Sequence, residues 1–214
     1  MAKYSIVELA VSNGNLVGVD QVSNNQKRAL ELNNAIYIYR GTRSKKVYIG
    51  QTMHFIERHK QHYNGTEEKF STADFNKVIV IFSVYFNRSA MDDVESQLIT
   101  YFMADNSKKA GAVSFDHDDV INRTGGNSVN EYVGRENVAS DVILPLWEKE
   151  LWSRGWVSSS TLEELRTKEL VKYSPIKQLT PEQGQLITEI IHNPDRNYVI
   201  NGDAGTGKTV LLTH

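Results

Sequence analysis

The sequence contains no cysteine among its 214 residues. This absence excludes disulfide bonds, thiolate metal sites and a cysteine nucleophile. It also fits a reducing compartment, and we expect the protein to be cytoplasmic.

Long apolar runs are missing as well. The longest of them, such as Val78–Phe82, fall far short of the roughly 20 residues that a membrane-spanning helix needs. The chain opens with Met-Ala-Lys-Tyr-Ser and shows no apolar signal region behind it. We therefore expect neither insertion in a membrane nor export.

The chain also lacks a strong excess of charge of either sign, since its formal net charge is −2 at pH 7. Nucleic-acid binding would therefore depend on local patches, or on contacts from a missing part or a partner. One candidate patch comprises Arg40, Arg43, Lys45 and Lys46. These side chains either contact phosphate or belong to a solvated loop.

The residues that are present, 40% hydrophobic and 23% charged, suffice for a core. The pattern of strands and helices along the chain indicates an α+β fold. Stretches rich in Tyr, Ile, Val and Phe predict a central antiparallel sheet of three strands, Ala35–Tyr39, Lys46–Ile49 and Lys77–Phe86, with the last in the middle. Helical spacing predicts flanking helices at Gln26–Leu32, His54–Tyr63 and Met91–Met103, the last capped by Ser89. Residues 4–11 alternate weakly and indicate a strand or an extended arm.

Two short tyrosine motifs carry the main chemical signal. They read Ala35-Ile36-Tyr37 and Tyr48-Ile49-Gly50, and they are followed by Arg58, His62, Glu95 and Asn122. This pattern resembles the GIY-YIG nuclease family over about residues 34–127, with Ala35 where the family name has glycine. The resemblance implies an endonuclease that hydrolyses phosphodiester bonds with the help of a divalent metal ion.

The resemblance assigns catalytic roles to Tyr37, Tyr48, Arg58 and His62. Tyr48 would orient or deprotonate the attacking water, although a phenol near pKa 10 is a poor base unless a cation lowers its pKa. Tyr37 would hydrogen-bond around the same centre, and Arg58 would clamp the scissile phosphate with its planar fork. His62 would transfer a proton or contact phosphate. His54, Arg58 and His62 share one predicted helical face that could line a phosphate cleft.

Glu95 is the metal-binding candidate, because it lies beside the apolar face of its predicted helix. A partly desolvated carboxylate there favours a hard cation such as Mg²⁺ or Mn²⁺. The resemblance gives Asn122 an amide that ties the metal helix to the active face or touches phosphate. We expect Asp92 and Asp93 to cap the helix, and we interpret His59 as structural.

A second motif near the other end, Gly202-Asp-Ala-Gly-Thr-Gly207-Lys208-Thr209, is a complete P-loop signature. The predicted strand Tyr198–Ile200 precedes it. Backbone N–H groups of the loop would cradle phosphate, Lys208 would reach the β- and γ-phosphates, and Thr209 would hold Mg²⁺. The predicted nucleotide-binding residues are Gln183, Gly202, Gly205, Gly207, Lys208 and Thr209, with Gln183 in a segment that resembles the adenine-reading motif of superfamily 1 helicases. The arrangement resembles a GIY-YIG nuclease fused to a Schlafen-like helicase ATPase.

The predicted organisation has four parts. They are an N-terminal extension (1–34), the nuclease-like domain (35–127), a helical connector (128–175) and the start of an incomplete RecA-like α/β ATPase (176–214). We expect ATP and Mg²⁺ to bind only in a full-length motor with its missing C-terminal lobes, and no ATPase activity from this chain.

Three functional hypotheses follow from these motifs. The first is a metal-dependent endonuclease that acts on nucleic acid, with DNA favoured over RNA, in defence or repair. The second is a non-cleaving nucleic-acid-binding module that targets a helicase-type ATPase. The third is an ATP-driven switch with a docking unit in front. The presence of Tyr48, Arg58 and Glu95 together favours the first.

Overall fold

The computed structural model describes residues 3–64, 72–105 and 134–166 as continuous stretches, together with residues 70, 120, 132, 189, 190, 193, 196, 198 and 199. Within this part of the chain five strands form one sheet: β1 (Tyr4–Ser12), β2 (Asn15–Val17), β3 (Ala35–Arg40), β4 (Val47–Thr52) and β5 (Lys77–Ser83). The helices are α1 (Asn24–Leu32), α2 (Phe55–Asn64), α3 (Arg88–Ala104), α4 (Arg135–Val138) and α5 (Leu162–Arg166). The mixed α and β composition agrees with the prediction.

The sheet has the order β2-β1-β5-β3-β4, and every neighbouring pair is antiparallel. The expected three-stranded sheet is therefore wrong, because β1 pairs with β5 along its length and brings β2 with it. The third predicted strand, β5, does lie in the middle. The sheet also crosses residue 34, where we placed a domain boundary.

The two faces of the sheet bury different residues, because successive side chains point to opposite sides. Ile36, Ile38, Ile49, Ile79 and Ile81 belong to the core cluster that includes α3 and residues 134–166. The other face carries Tyr37, Tyr39, Tyr48, Val78 and Val80 in a cluster with Phe55 of α2. All six residues of β3 are buried, since both faces are covered.

Helix starts follow from local hydrogen bonds. Ser23 caps α1 in a reciprocal capping box with Gln26. Asn87 caps α3 by accepting a hydrogen bond from the Ala90 N–H at 2.9 Å. The prediction of Ser89 as the cap of this helix was therefore wrong, and the helix begins earlier than expected.

A buried histidine ties the N-terminal hairpin to α2. His59 is 4% exposed. Its Nε2 lies 3.0 Å from the Gly14 carbonyl in the β1–β2 turn, and its Nδ1 lies 2.7 Å from the Tyr39 hydroxyl. Since a carbonyl only accepts, Nε2 carries the proton and Nδ1 accepts from Tyr39. The structural interpretation of His59 fits these contacts.

Residues 134–166 of the predicted connector pack against α3. The helix that begins with α4 continues through π-helical turns at Ala139–Ile143 and Leu146–Leu151. Trp147 is fully buried, with its ring centroid 5.2 Å from that of Phe102. At the end of α3, the buried Asp105 carboxylate accepts from the Ser158 N–H at 2.6 Å, the Ser158 hydroxyl at 2.7 Å and the Ser159 N–H at 2.8 Å.

Several predictions on the second half of the chain fall outside the described residues. They concern the P-loop, its upstream glutamine and the helix around residue 181. Tyr198 and Val199 are described and do not lie in a strand. The strand predicted at 198–200 is therefore wrong for these two residues. None of the helices in the described stretches has the length and hydropathy that crossing a bilayer requires.

Asp105→Ala should lower the free energy of unfolding by about 3 kcal/mol, because three donors lose their acceptor in a buried site. Urea denaturation measures this loss. The matched control is Asp20→Ala, which removes an exposed carboxylate. A loss no larger than that of the control would show that Asp105 does not anchor the connector.

The His59 contacts predict a pH dependence of stability. Burial lowers the pKa of His59, and the hydrogen bond to Gly14 opposes this effect. The folded-state pKa of His59 therefore lies below the unfolded value near 6.5. The contribution of neutral His59 to the free energy of unfolding is complete above about pH 6.5, and it is lost as the pH falls through the folded-state pKa.

His59→Gln keeps one acceptor and one donor but cannot titrate. Its free energy of unfolding should therefore fall less than that of the wild type between pH 7.5 and pH 5. Exposed His54, changed to Gln, is the control. Equal losses in wild type and His59→Gln would contradict the assignment.

Candidate active site

The register between β3 and β4 sets Tyr37 directly opposite Gly50. A Cβ atom at residue 50 would overlap the hydroxyl oxygen and the ring of Tyr37. Gly50 is therefore required by close approach of a neighbouring ring. The glycine of the second tyrosine motif lets the Tyr37 side chain lie across β4.

The Tyr37 hydroxyl is held by two residues of α2. It shares a hydrogen bond of 2.8 Å with His62 Nε2, and it is also hydrogen-bonded to Arg58. Tyr37 and His62 are each 1% exposed. Burial raises the pKa of Tyr37 well above its usual value, nearby Tyr48 raises it further, and Arg58 opposes the shift. The phenol thus stays protonated at neutral pH and serves as a hydrogen-bonding group, not as a base.

Tyr48 belongs to the same aromatic cluster. Its ring stacks with that of Tyr37 at a centroid distance of 6.2 Å and meets the edge of the His62 ring at 5.2 Å. The Phe70 ring stacks on that of His62 at a centroid distance of 4.1 Å with an interplanar angle of 11°, and it also meets the edge of the Tyr48 ring at 4.9 Å. Tyr37, Tyr48 and His62 are therefore brought together.

Arg58 links this cluster to the metal-binding candidate. Its side chain is half-buried, and one guanidinium nitrogen, Nη1, donates to Gln61 Oε1 at 3.2 Å. Its positive charge lowers the pKa of both Tyr37 and Glu95. The guanidinium thus lies close enough to both groups to act on each electrostatically.

Glu95 projects from α3, the helix that packs on the isoleucine face of the sheet. Its Oε2 accepts a hydrogen bond of 2.8 Å from Gln51 Nε2. Burial raises the pKa of Glu95 to about 7, and Asp92 contributes in the same direction, whereas Gln51 and Arg58 oppose the shift. A carboxylate with this pKa gains from a nearby cation, which favours its charged form.

The donor set around Glu95 suits a hard cation. Glu95 supplies carboxylate oxygens, the ligands that Mg²⁺ and Mn²⁺ prefer. In the described part of the chain, no group of three or more His, Asp and Glu residues could hold a metal ion. A cation at Glu95 would therefore take most of its ligands from water and substrate.

The predicted row of His54, Arg58 and His62 does not share one environment. α2 begins only at Phe55, and exposed His54 uses Nδ1 to bond the Glu31 carbonyl at 2.9 Å. His62 is buried while Arg58 is half-buried. The predicted cleft lined by all three side chains is therefore wrong.

The predicted basic patch also changes. Arg40 is 5% exposed, and its Nη1 donates to the Lys45 carbonyl at 2.7 Å, so it braces the β3–β4 loop. Arg43 and Lys45 are exposed. The patch at the surface is smaller than the sequence suggested.

Gln51 and Asp92 contact Glu95 or its partner, although the sequence analysis identified neither as a site residue. The prediction that Asp92 caps α3 is wrong, because the cap is Asn87. The Asp92 carboxylate instead accepts a hydrogen bond from Gln51 Nε2 at 2.5 Å. Asp93 is not a cap either, since it is buried and pairs with Arg135 at 3.3 Å. Side chains two residues apart in a strand share a face. The apolar Ile49 was therefore the signal that could have placed Gln51 on the α3 face. Asn122 and the predicted nucleotide-binding residues lie outside the described part of the chain.

Gly50→Ala should lower the free energy of unfolding by about 2 kcal/mol, because the new methyl group overlaps the Tyr37 ring. Urea denaturation measures this loss. In a Tyr37→Leu background the same alanine should cost clearly less, since the smaller side chain leaves room. An equal cost in both backgrounds would mean that another contact sets the requirement for glycine.

Comparison with known proteins identifies one family. Residues 33–109 match the family described as the GIY-YIG catalytic domain. No curated protein and no solved structure matches the chain. The matched segment spans Tyr37, Tyr48, Arg58, His62 and Glu95. Residues 33–109 therefore form a GIY-YIG domain, and this match implies a nuclease-type function for that part of the chain.

Proposed function

We propose that this chain is a metal-dependent endonuclease that hydrolyses phosphodiester bonds in nucleic acid, with DNA favoured over RNA. The observation that carries the proposal is the position of Arg58. Its charge lowers the pKa of both Tyr37 and Glu95, so the guanidinium lies near the two groups at once. A phosphate held by this guanidinium would lie between the aromatic cluster and the metal-binding carboxylate.

The mechanism assigns each residue a separate task. Arg58 binds the oxygens of the scissile phosphate through its fork of N–H donors. Tyr48 orients the attacking water, and Tyr37 holds Arg58 and His62 through its protonated hydroxyl. His62 orients the Tyr37 hydroxyl through the hydrogen bond between its Nε2 and that hydroxyl.

Glu95 holds the divalent cation, Mg²⁺ or Mn²⁺. When bound, this cation supplies Lewis acidity and neutralises charge on the phosphorus oxygens. Burial makes the carboxylate a stronger partner for a cation than a solvated glutamate would be. Asn122 remains part of the proposal on the strength of the sequence resemblance alone.

The P-loop signature supports a nucleotide-binding function for residues 176–214. Lys208 and Thr209 would bind the phosphates and Mg²⁺ of ATP, and Gln183 would contact the base. We propose on this ground that the nuclease is fused to a helicase-type ATPase. DNA-stimulated ATP turnover by a longer chain would test the fusion, and Lys208→Ala should abolish that turnover.

Plasmid nicking tests the nuclease. With Mg²⁺ or Mn²⁺ present, Glu95→Gln, Arg58→Ala and Tyr48→Phe should each cleave supercoiled DNA at least about 100-fold more slowly than the wild type, because each removes a group that stabilises the transition state. The control is Glu31→Gln, a change at an exposed glutamate of α1.

Equal cleavage by the wild type and Glu95→Gln would contradict the role of the carboxylate. Binding of DNA without cleavage under both metals would favour the non-cleaving module. A matched single-stranded RNA in the same assay separates the two nucleic acids.

A further inference from the structure

Gln51 occupies an unusual position between two carboxylates of α3. Its side-chain Nε2 lies 2.5 Å from Asp92 Oδ1 and 2.8 Å from Glu95 Oε2. An amide nitrogen carries two hydrogens, so one is available for each carboxylate. Because carboxylate oxygens only accept, the nitrogen end of the amide has to face them.

The origin of Gln51 in the sheet explains why this contact matters. Gln51 belongs to β4, the strand that also carries Tyr48, and it lies opposite Ile36 of β3. Alternation along the strand sends Tyr48 to the aromatic face and Gln51 to the face covered by α3. One strand therefore contacts both halves of the site.

We propose that Gln51 is a positioning residue that fixes the Glu95 carboxylate for cation binding, with Asp92 as the second anchor of its amide. The proposal rests on the metal-dependent nuclease proposed above. Gln51 fixes only one Glu95 oxygen through a hydrogen bond, so lone pairs of the carboxylate stay available to a cation.

A glutamine suits this role better than a charged donor would. A lysine at residue 51 would bind the carboxylates through its own positive charge and would compete with the cation. The neutral amide orients Glu95 without neutralising it. Hydrogen-bonded partners of metal-binding side chains commonly contribute tenfold or more to metal affinity.

Mn²⁺ binding tests the proposal without any nucleic-acid substrate. Titration of the protein with Mn²⁺, followed by the electron paramagnetic resonance signal of the free ion, gives the dissociation constant. Gln51→Met keeps the length of the side chain and removes both donors, so its Mn²⁺ affinity should fall about tenfold to a hundredfold. Gln51→Asn keeps an amide that is too short to reach both carboxylates, and its affinity should fall as well.

The matched control is Gln97→Met, the same change on α3 two residues beyond Glu95. Gln97 is half-buried like Gln51 and accepts from the Tyr101 hydroxyl at 3.4 Å. Its Mn²⁺ affinity should equal that of the wild type. Circular dichroism and thermal unfolding of each variant show whether it is folded, and an unfolded Gln51→Met leaves Gln51→Asn to decide.

Asp92→Asn tests the second anchor, because its carbonyl oxygen can still accept from Gln51. This variant should keep most of the Mn²⁺ affinity. A loss as complete as that of Glu95→Gln would make Asp92 a ligand and would overturn its assignment as an anchor.

The two proposals fail in different ways. Absence of Mn²⁺ binding by the wild type, or equal binding by Glu95→Gln, would refute the metal site itself and the positioning role with it. Binding that Glu95→Gln loses but both Gln51 variants retain at wild-type strength would refute only the positioning role.

Discussion

Antiparallel pairing of β3 with β4, in the register that sets Tyr37 opposite Gly50, determines where the candidate site can form. The absent side chain at Gly50 leaves space for the Tyr37 ring, and the ring brings its hydroxyl to His62 and Arg58. A shift of one residue would exchange the two faces of each strand. The tyrosines would then meet α3, and the isoleucines would meet α2.

The sheet separates the two chemical components of the site and also connects them. Aromatic side chains and α2 provide a buried hydroxyl, an imidazole and a guanidinium, whereas α3 provides the carboxylates. Burial of Tyr37 and Glu95 acts on both groups in the same direction, since it raises the pKa of each. Arg58 is the positive charge that opposes both shifts. The site therefore places a guanidinium beside two desolvated groups whose pKa values burial raises.

The sequence predicted those parts of the fold that depend on local pattern. The strands β3, β4 and β5 and the helices α1 to α3 follow from residue type and spacing, although their ends differ by a few residues. The pairing of β1 with β5 could not be predicted, because it joins Tyr4 to Ser83 across most of the domain and leaves only weak alternation in the sequence. Arg40 is similar, since its burial depends on a loop carbonyl contributed by Lys45. The principal site residues came from a family resemblance, whereas the contacts of Gln51 required knowledge of which face α3 covers.

The attachment of residues 134–166 to α3 has a mechanical consequence. α3 is one continuous helix with Glu95 near its middle and Asp105 directly after its last residue. Ser158 and Ser159 donate hydrogen bonds to Asp105, and the Trp147 ring packs against Phe102. These contacts join the connector to the C-terminal end of α3. A force applied to the connector would therefore be transmitted along α3. A rotation of the connector would move the Glu95 carboxylate together with the helix, relative to the tyrosines of β3 and β4.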